Sequence, residues 1–164
     1  MPRTAARASK TKARSSRSAP NAINLLTEDH AKVRKMFKQF EKMKDKMDDA
    51  EKSELVQQIC MELTLHTQVE EEIFYPAARE AIEEEDLLDE AEVEHASAKE
   101  LISQLQGMQP SDELYDAKVT VLGEYVEHHV KEEEKQMFPK VRKARVDLER
   151  LAEEIEERKQ QAVQ

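Results

Sequence analysis

Two stretches, His66-Thr-Gln-Val-Glu70-Glu71-Glu72-Ile73-Phe74-Tyr75-Pro76 and His129-Val-Lys-Glu-Glu133-Glu134-Lys-Gln-Met137-Phe138-Pro139, repeat one pattern at a shift of 63 residues. Each sets a glutamate four residues after a histidine, a spacing that puts both side chains on one helix face, about 6 Å apart at their Cβ atoms. Each closes on a proline, which predicts a kink or an end to the helix there. A similar shift of 65 pairs Asp29-His30 with Glu94-His95. Each half of the chain therefore supplies an acid–histidine pair on one helix and His-x-x-x-Glu on the next.

The apolar residues around these motifs keep helical spacing in four long blocks. The first carries Leu26, His30, Val33, Phe37 and Phe40. The second follows the cap candidates Asp48 and Asp49 and carries Leu55, Ile59, His66, Glu70 and Ile73 towards Pro76. The third carries Leu88, Glu92, His95, Ile102 and Leu105 and stops near Gly107 and Pro110; the fourth starts around Ser111 and carries Leu122, Tyr125, His129, Glu133 and Gln136 towards Pro139. Short connections between helices of similar length imply antiparallel neighbours, so the spacing predicts an all-α, up-down-up-down four-helix bundle. A shorter fifth, C-terminal helix with Leu148, Leu151 and Ile155 should cover one end or side of it. Gly123, inside the fourth helix, costs about 1 kcal/mol relative to alanine, which close backbone packing would explain.

Composition agrees with this reading and excludes others. The 164 residues suit one domain, and two glycines are too few for a many-turned β-sandwich or barrel. No apolar run is long enough to span a membrane, and no apolar stretch near the start resembles a secretory signal. One cysteine excludes a disulfide framework within the chain and a cysteine-rich zinc site. These features suggest a cytoplasmic protein.

The net charge of −10 is unevenly placed. Residues 1–20 hold six basic side chains (Arg3, Arg7, Lys10, Lys12, Arg14, Arg17) and no acidic one, which leaves −16 for the remainder. That start is too polar to build a core and reads as a disordered basic tail before a folded domain at 21–160. Such an arm suits weak contact with nucleic acid or an anionic surface, resembles a transit peptide, or only solubilises the chain. The acidic remainder argues against DNA binding by the folded part.

Each of the four helices thus places one histidine, His30, His66, His95 or His129, on its core-facing stripe, and two add a glutamate, Glu70 and Glu133. A buried carboxylate without a partner is so costly that it is normally paired or bound to metal. Lys99 is the only basic residue near these stripes, so a bound cation is the simplest compensation. Antiparallel packing of two such halves brings the contributions to one level around a pseudo-twofold axis. That arrangement suits two metal ions bridged by two carboxylates, with two imidazoles for each ion.

On these residues the sequence resembles the hemerythrin-like (HHE) cation-binding domain family. The resemblance covers about residues 21–160, through Thr27-Glu28-Asp29-His30, His66 to Pro76, Glu94-His95 and His129 to Pro139. It implies a non-haem di-iron centre, oxo- or hydroxo-bridged, with His30, His66, Glu70, His95, His129 and Glu133 as ligands and the two glutamates bridging. Mixed imidazole and carboxylate ligation also suits manganese or zinc. Oxygen-carrying members have a further histidine where this chain has Lys99, and an aspartate where it has Glu134. Helical geometry and the internal repeat favour Glu133 over Glu134 as the ligand. Loss of the fifth imidazole makes the two metal environments more alike and leaves positions for water or substrate.

The implied function is binding of O2 or a related small ligand, or iron and redox sensing. An enzyme that reduces peroxide or nitric oxide is the alternative, and a metal-free helical interaction module is the second alternative. Around the six residues, Glu62, Asp29 and Glu94 are candidates to orient imidazoles, and His128 points about 100° away from His129. Tyr125, one turn before His129, reads as a core tyrosine with a satisfied hydroxyl, or as a donor to the centre. Cys60 reads as a small buried hydrophobe.

Overall fold

A computed structural model describes residues 19–163, so the basic tail expected at 1–20 lies almost wholly outside the described residues. The described chain is all-helical. Helix α1 (Ala22–Met43) starts where the Asn21 side chain accepts from Asn24 N–H at 2.9 Å. Helix α2 (Asp49–Val69) starts where Asp48 does the same for Glu51 N–H at 2.8 Å. These caps satisfy N–H groups that a helix start leaves without intrahelical partners.

The second helix does not stop at Pro76. It widens into a π-turn (Glu70–Phe74) and continues as α3 (Tyr75–Ala81). The fourth does the same: α5 (Tyr115–Glu132), a π-turn (Glu133–Met137), then α6 (Phe138–Lys143). The backbone N–H of Tyr75 bonds to the carbonyl of Glu70, and that of Phe138 to Glu133, each five residues back. Proline lacks an N–H and its ring crowds the carbonyl four residues behind it; one wider turn accommodates it without breaking the rod. Between these two rods runs α4 (Glu85–Gln106), which ends at Gly107 as expected.

Helix α1 packs on α2 and α5, and α4 packs on the same two, which closes a four-rod antiparallel bundle. The amphipathic α7 (Leu148–Val163) lies along α1 and α2 and buries Leu151, Ala152 and Ile155, so it covers a side of the bundle. The core forms two apolar clusters. One holds Leu26, Val69, Phe74, Phe138 and Ile155; the other holds Val33, Phe40, Ile59, Ile102 and Leu122.

Several expected core positions are corrected. Ile73 is only half-buried and Gln136 is exposed, because the π-turns rotate the face by one residue and bury Phe74, Tyr75, Met137 and Phe138 instead. Glu92 is exposed and paired with Arg79 at 3.0 Å. Tyr125 is 47% exposed and is not a core tyrosine. Helix α5 begins at Tyr115, later than Ser111, after a turn in which Asp112 accepts from Gln109 N–H and Leu114 takes a left-handed φ of 71°. Gly123 lies under the half-buried Phe37 ring, where a Cβ would come within 3.0 Å of Phe37 Cδ1.

Candidate metal centre

Between the two apolar clusters the bundle buries His30, His66, Glu70, His95, His129 and Glu133. The sequence-predicted six are thus brought to one place. His30 comes from α1, His66 from α2, His95 from α4 and His129 from α5, while Glu70 and Glu133 open the two π-turns.

The imidazoles form two pairs. Nε2 of His30 and Nε2 of His66 are 3.1 Å apart, and Nε2 of His95 and Nε2 of His129 are also 3.1 Å apart. Two nitrogens at adjacent positions on one ion, each about 2.1 Å from it, stand about 3 Å apart. Glu70 spans the pairs: Oε1 contacts His66 Nε2, and Oε2 lies 3.7 Å from His95 Nε2 and 3.9 Å from His129 Nε2. Glu133 spans them too, with Oε1 3.1 Å from His30 Nε2 and Oε2 3.1 Å from His129 Nε2.

Each imidazole is aimed by an outer carboxylate that accepts from its Nδ1–H. Asp29 holds His66 at 3.0 Å, Glu71 holds His95 at 3.2 Å, Glu94 holds His129 at 3.3 Å, and Glu134 holds His30 at 2.9 Å. With Nδ1 engaged in this way, Nε2 is the nitrogen left facing inward to meet a metal, as in most metal-binding histidines. Asp29 and Glu94 fill the orienting role considered for them. Glu62 instead pairs with Lys32 at 2.6 Å. Lys99 is on the surface, 2.6 Å from Glu71 Oε2. Glu134 faces His30 from outside, while Glu133 alone of its neighbours points into the centre.

Both oxygens of Glu70, and Oε1 of Glu133, are buried without a hydrogen-bond partner. Such atoms are strongly penalised unless a cation meets them, so these donors fit positive ions. The charges leave the same mark on the imidazoles. Burial by itself would lower the pKa of His30, but the close negative charges of Glu133 and Glu70 outweigh it and raise the value to about 10. The same opposition takes His129 up to about 12, and His66, beside Glu70 and Asp29, to about 9. For His95 burial prevails and its pKa falls.

Tyr75 was not among the sequence candidates. Its hydroxyl donates to Glu133 Oε2 at 2.7 Å and lies 3.2 Å from Nε2 of both His95 and His129. Burial, then the charges of Glu133 and Glu70, push its pKa well above the ordinary phenol value. The repeat aligns Tyr75 with Phe138, but α-helical spacing from Glu70 hides it; only the π-turn brings residue i+5 to the same face. Tyr125 borders a small internal chamber of about 30 Å³, which the apolar side chains of Val33, Leu63, Ala98 and Val126 line together with the four histidines. Cys60 is buried, and burial pushes its thiol up to about 11, which leaves it inert.

Residues 21–162 match the family model of the Hemerythrin HHE cation binding domain. A DNA nickase from Nostoc sp. is 30% identical over 122 residues, which are 74% of this chain and 34% of the relative's length. This chain thus spans about a third of that relative. The crystal structure of a hemerythrin HHE cation binding domain-containing protein from Mycobacterium kansasii has a similar fold, with a TM-score of 0.71 at 24% identity, over 87% of this chain and 86% of that one.

Proposed function

Because this chain belongs to the hemerythrin HHE cation-binding domain family and so binds metal, we propose that its buried centre holds two iron ions. In this reading His30 and His66 serve one ion, His95 and His129 the other, and Glu70 and Glu133 span both. Two converging pairs of Nε2 atoms, spanned by carboxylates with orphaned oxygens, carry the reading. Imidazole with carboxylate suits iron and admits manganese or zinc. When bound, iron supplies Lewis acidity and reversible electron transfer.

The protein's role is then to bind a small ligand such as O2, NO or peroxide, or to report iron or redox state. The chamber of about 30 Å³ beside the centre supports that size class, since it has room for little more than one or two water-sized molecules. Outer carboxylates fix the imidazoles, and the two apolar clusters keep bulk water away. Among the described residues no helix is long and apolar enough to cross a membrane. A single buried cysteine suits the cytoplasm.

Turnover of peroxide or nitric oxide at the same centre is the second reading. Tyr75 favours it, because its hydroxyl holds a proton at Glu133 Oε2 inside the centre. Nicking of DNA is not proposed: the Nostoc relative is about three times longer than the part matched here, and this chain's charge is −10.

The test is metal content and absorption of protein loaded with ferrous iron under nitrogen, before and after air. About two iron per chain, with a new near-ultraviolet to visible band on oxidation, is the expected result. Turnover of peroxide that disappears in His66→Ala and Glu133→Ala would select the enzyme over the binding protein. An intact fold that takes up neither iron nor another metal would leave the helical interaction module.

A further inference from the structure

The four carboxylates that aim the imidazoles are not equally neutralised. Lys159 Nζ lies 2.6 Å from Asp29 Oδ2, Lys99 Nζ lies 2.6 Å from Glu71 Oε2, and Arg34 Nη1 lies 3.6 Å from Glu134 Oε2. Glu94 has no lysine or arginine partner among the described residues. Its Oε1 accepts from His129 Nδ1–H, and its Oε2 faces Nε2 of His128 at 3.7 Å. His128 Nε2 in turn lies 3.2 Å from Glu132 Oε1, one helical turn further along α5. Donor atoms of Glu94, His128 and Glu132 lie within 4.8 Å of one another.

The internal repeat makes this arrangement specific to the second half. At the same shifts the first half holds Asp29, Leu65 and Val69 in place of Glu94, His128 and Glu132. There a lysine from α7 supplies the positive charge, Val69 is buried in an apolar cluster and Leu65 packs against that cluster. In the second half the lysine is missing, and an imidazole and a carboxylate have been added at ligand spacing.

We propose that Glu94, His128 and Glu132 form an outer site for a divalent first-row transition cation, which takes the place that Lys159 fills at Asp29. One imidazole nitrogen and two carboxylate oxygens suit Mn2+, Fe2+ or Zn2+. His128 is 68% exposed, so its ring is free to turn onto an ion. The site opens on a groove of about 730 Å³, which leaves space for water at the remaining positions, and Asp86 and Glu90 on its wall attract cations. Glu94 and Tyr125 border both this groove and the inner chamber, so the outer ion would sit one carboxylate away from the buried centre.

The outer site does not depend on which ions the buried centre holds. The probe is Mn2+, added to the iron-loaded full chain and followed by the electron paramagnetic resonance of the free ion. Wild-type protein is expected to bind one Mn2+ per chain more than His128→Ala or Glu132→Gln. Circular dichroism and iron content should be the same in all three. Equal Mn2+ binding by the three proteins overturns the proposal. Iron content, measured in the same samples, reports separately on the buried centre, whose failure to load would leave the Mn2+ difference readable.

Discussion

Tyr75 and Phe138 hold equivalent positions in the two halves, yet only Tyr75 brings a hydroxyl to the centre. Phe138 instead lays its ring parallel to His30, with centroids 5.9 Å apart and planes 2° apart, while Tyr75 stacks on His95 at 5.3 Å. The two imidazole pairs therefore resemble each other but have different neighbours: a phenol beside His95 and His129, a phenyl beside His30.

That asymmetry yields a first expectation. Tyr75→Phe removes the donor to Glu133 Oε2 and keeps the ring, so iron content should stay near that of the wild type while the absorption of the oxidised protein shifts. If the spectrum is unchanged, the hydroxyl has no influence on the bound ions. Loss of iron would instead mean that the hydroxyl helps to hold it.

Loading should be tied to proton release. A cation needs neutral imidazoles, but in the metal-free chain the buried carboxylates hold His30, His66 and His129 protonated at neutral pH, with values of about 10, 9 and 12. Metal uptake near pH 7 should expel protons from these three, and affinity should rise as pH is raised from 6 to 9. Calorimetry in buffers of different ionisation enthalpy counts the protons; a heat that is independent of buffer would contradict the assignment. The sign for stability is opposite. Folded values raised above 6.5 stabilise the metal-free fold below that pH, and the contribution is lost as pH climbs through 9 to 12.

The sequence carried the bundle because its signals are local and periodic: Leu26, His30 and Val33 on α1, or Leu88, His95 and Ile102 on α4, fall on buried stripes at ordinary helical spacing. The six inward polar residues were legible for the same reason, since His66–Glu70 and His129–Glu133 precede any change of helical pitch. Past Glu70 and Glu133 the reading failed by one residue. The two π-turns shift the register, so Gln136 turns outward, Ile73 is left half-buried, and Tyr75 and Phe138 turn in. A proline six residues after each motif histidine's glutamate hinted at a disturbance but not at its direction. Tyr125 misled because its spacing from His129 is right, yet the groove beside α4 leaves that part of α5 open.

The assignment of Glu133 over Glu134 can be separated by paired variants. Glu133→Gln removes a charge that faces His30 and His129 at 3.1 Å, and should cost most of the bound iron. Glu134→Gln only weakens the grip on His30 Nδ1, and changes of that kind cost about 10–100-fold in metal affinity or activity. Similar losses in the two variants would undo the distinction.

Buried charge that serves a metal should burden the protein that lacks one. His66→Leu with Glu70→Leu replaces a buried ion pair by apolar groups, a change that is often neutral or stabilises by about 1–4 kcal/mol. The double variant should bind little iron, and should unfold in urea at a concentration no lower than the metal-free wild type. Glu70→Leu alone leaves His66 Nε2 buried without the carboxylate it touches and should be less stable than the pair. A double variant weaker than either single one would indicate that these residues also support the fold.

Gly123 offers a test away from the centre. Alanine there gains about 1 kcal/mol of helix propensity, but its Cβ would meet the Phe37 ring at 3.0 Å from Cδ1 and 3.3 Å from Cγ. In the wild-type background Gly123→Ala should therefore return less than that gain or destabilise. After Phe37→Ala removes the ring, the same substitution should stabilise by about the full amount. A double-mutant cycle by urea denaturation reads the difference directly. Additive effects would mean that the ring moves aside at no cost, and that the glycine is not there to seat it.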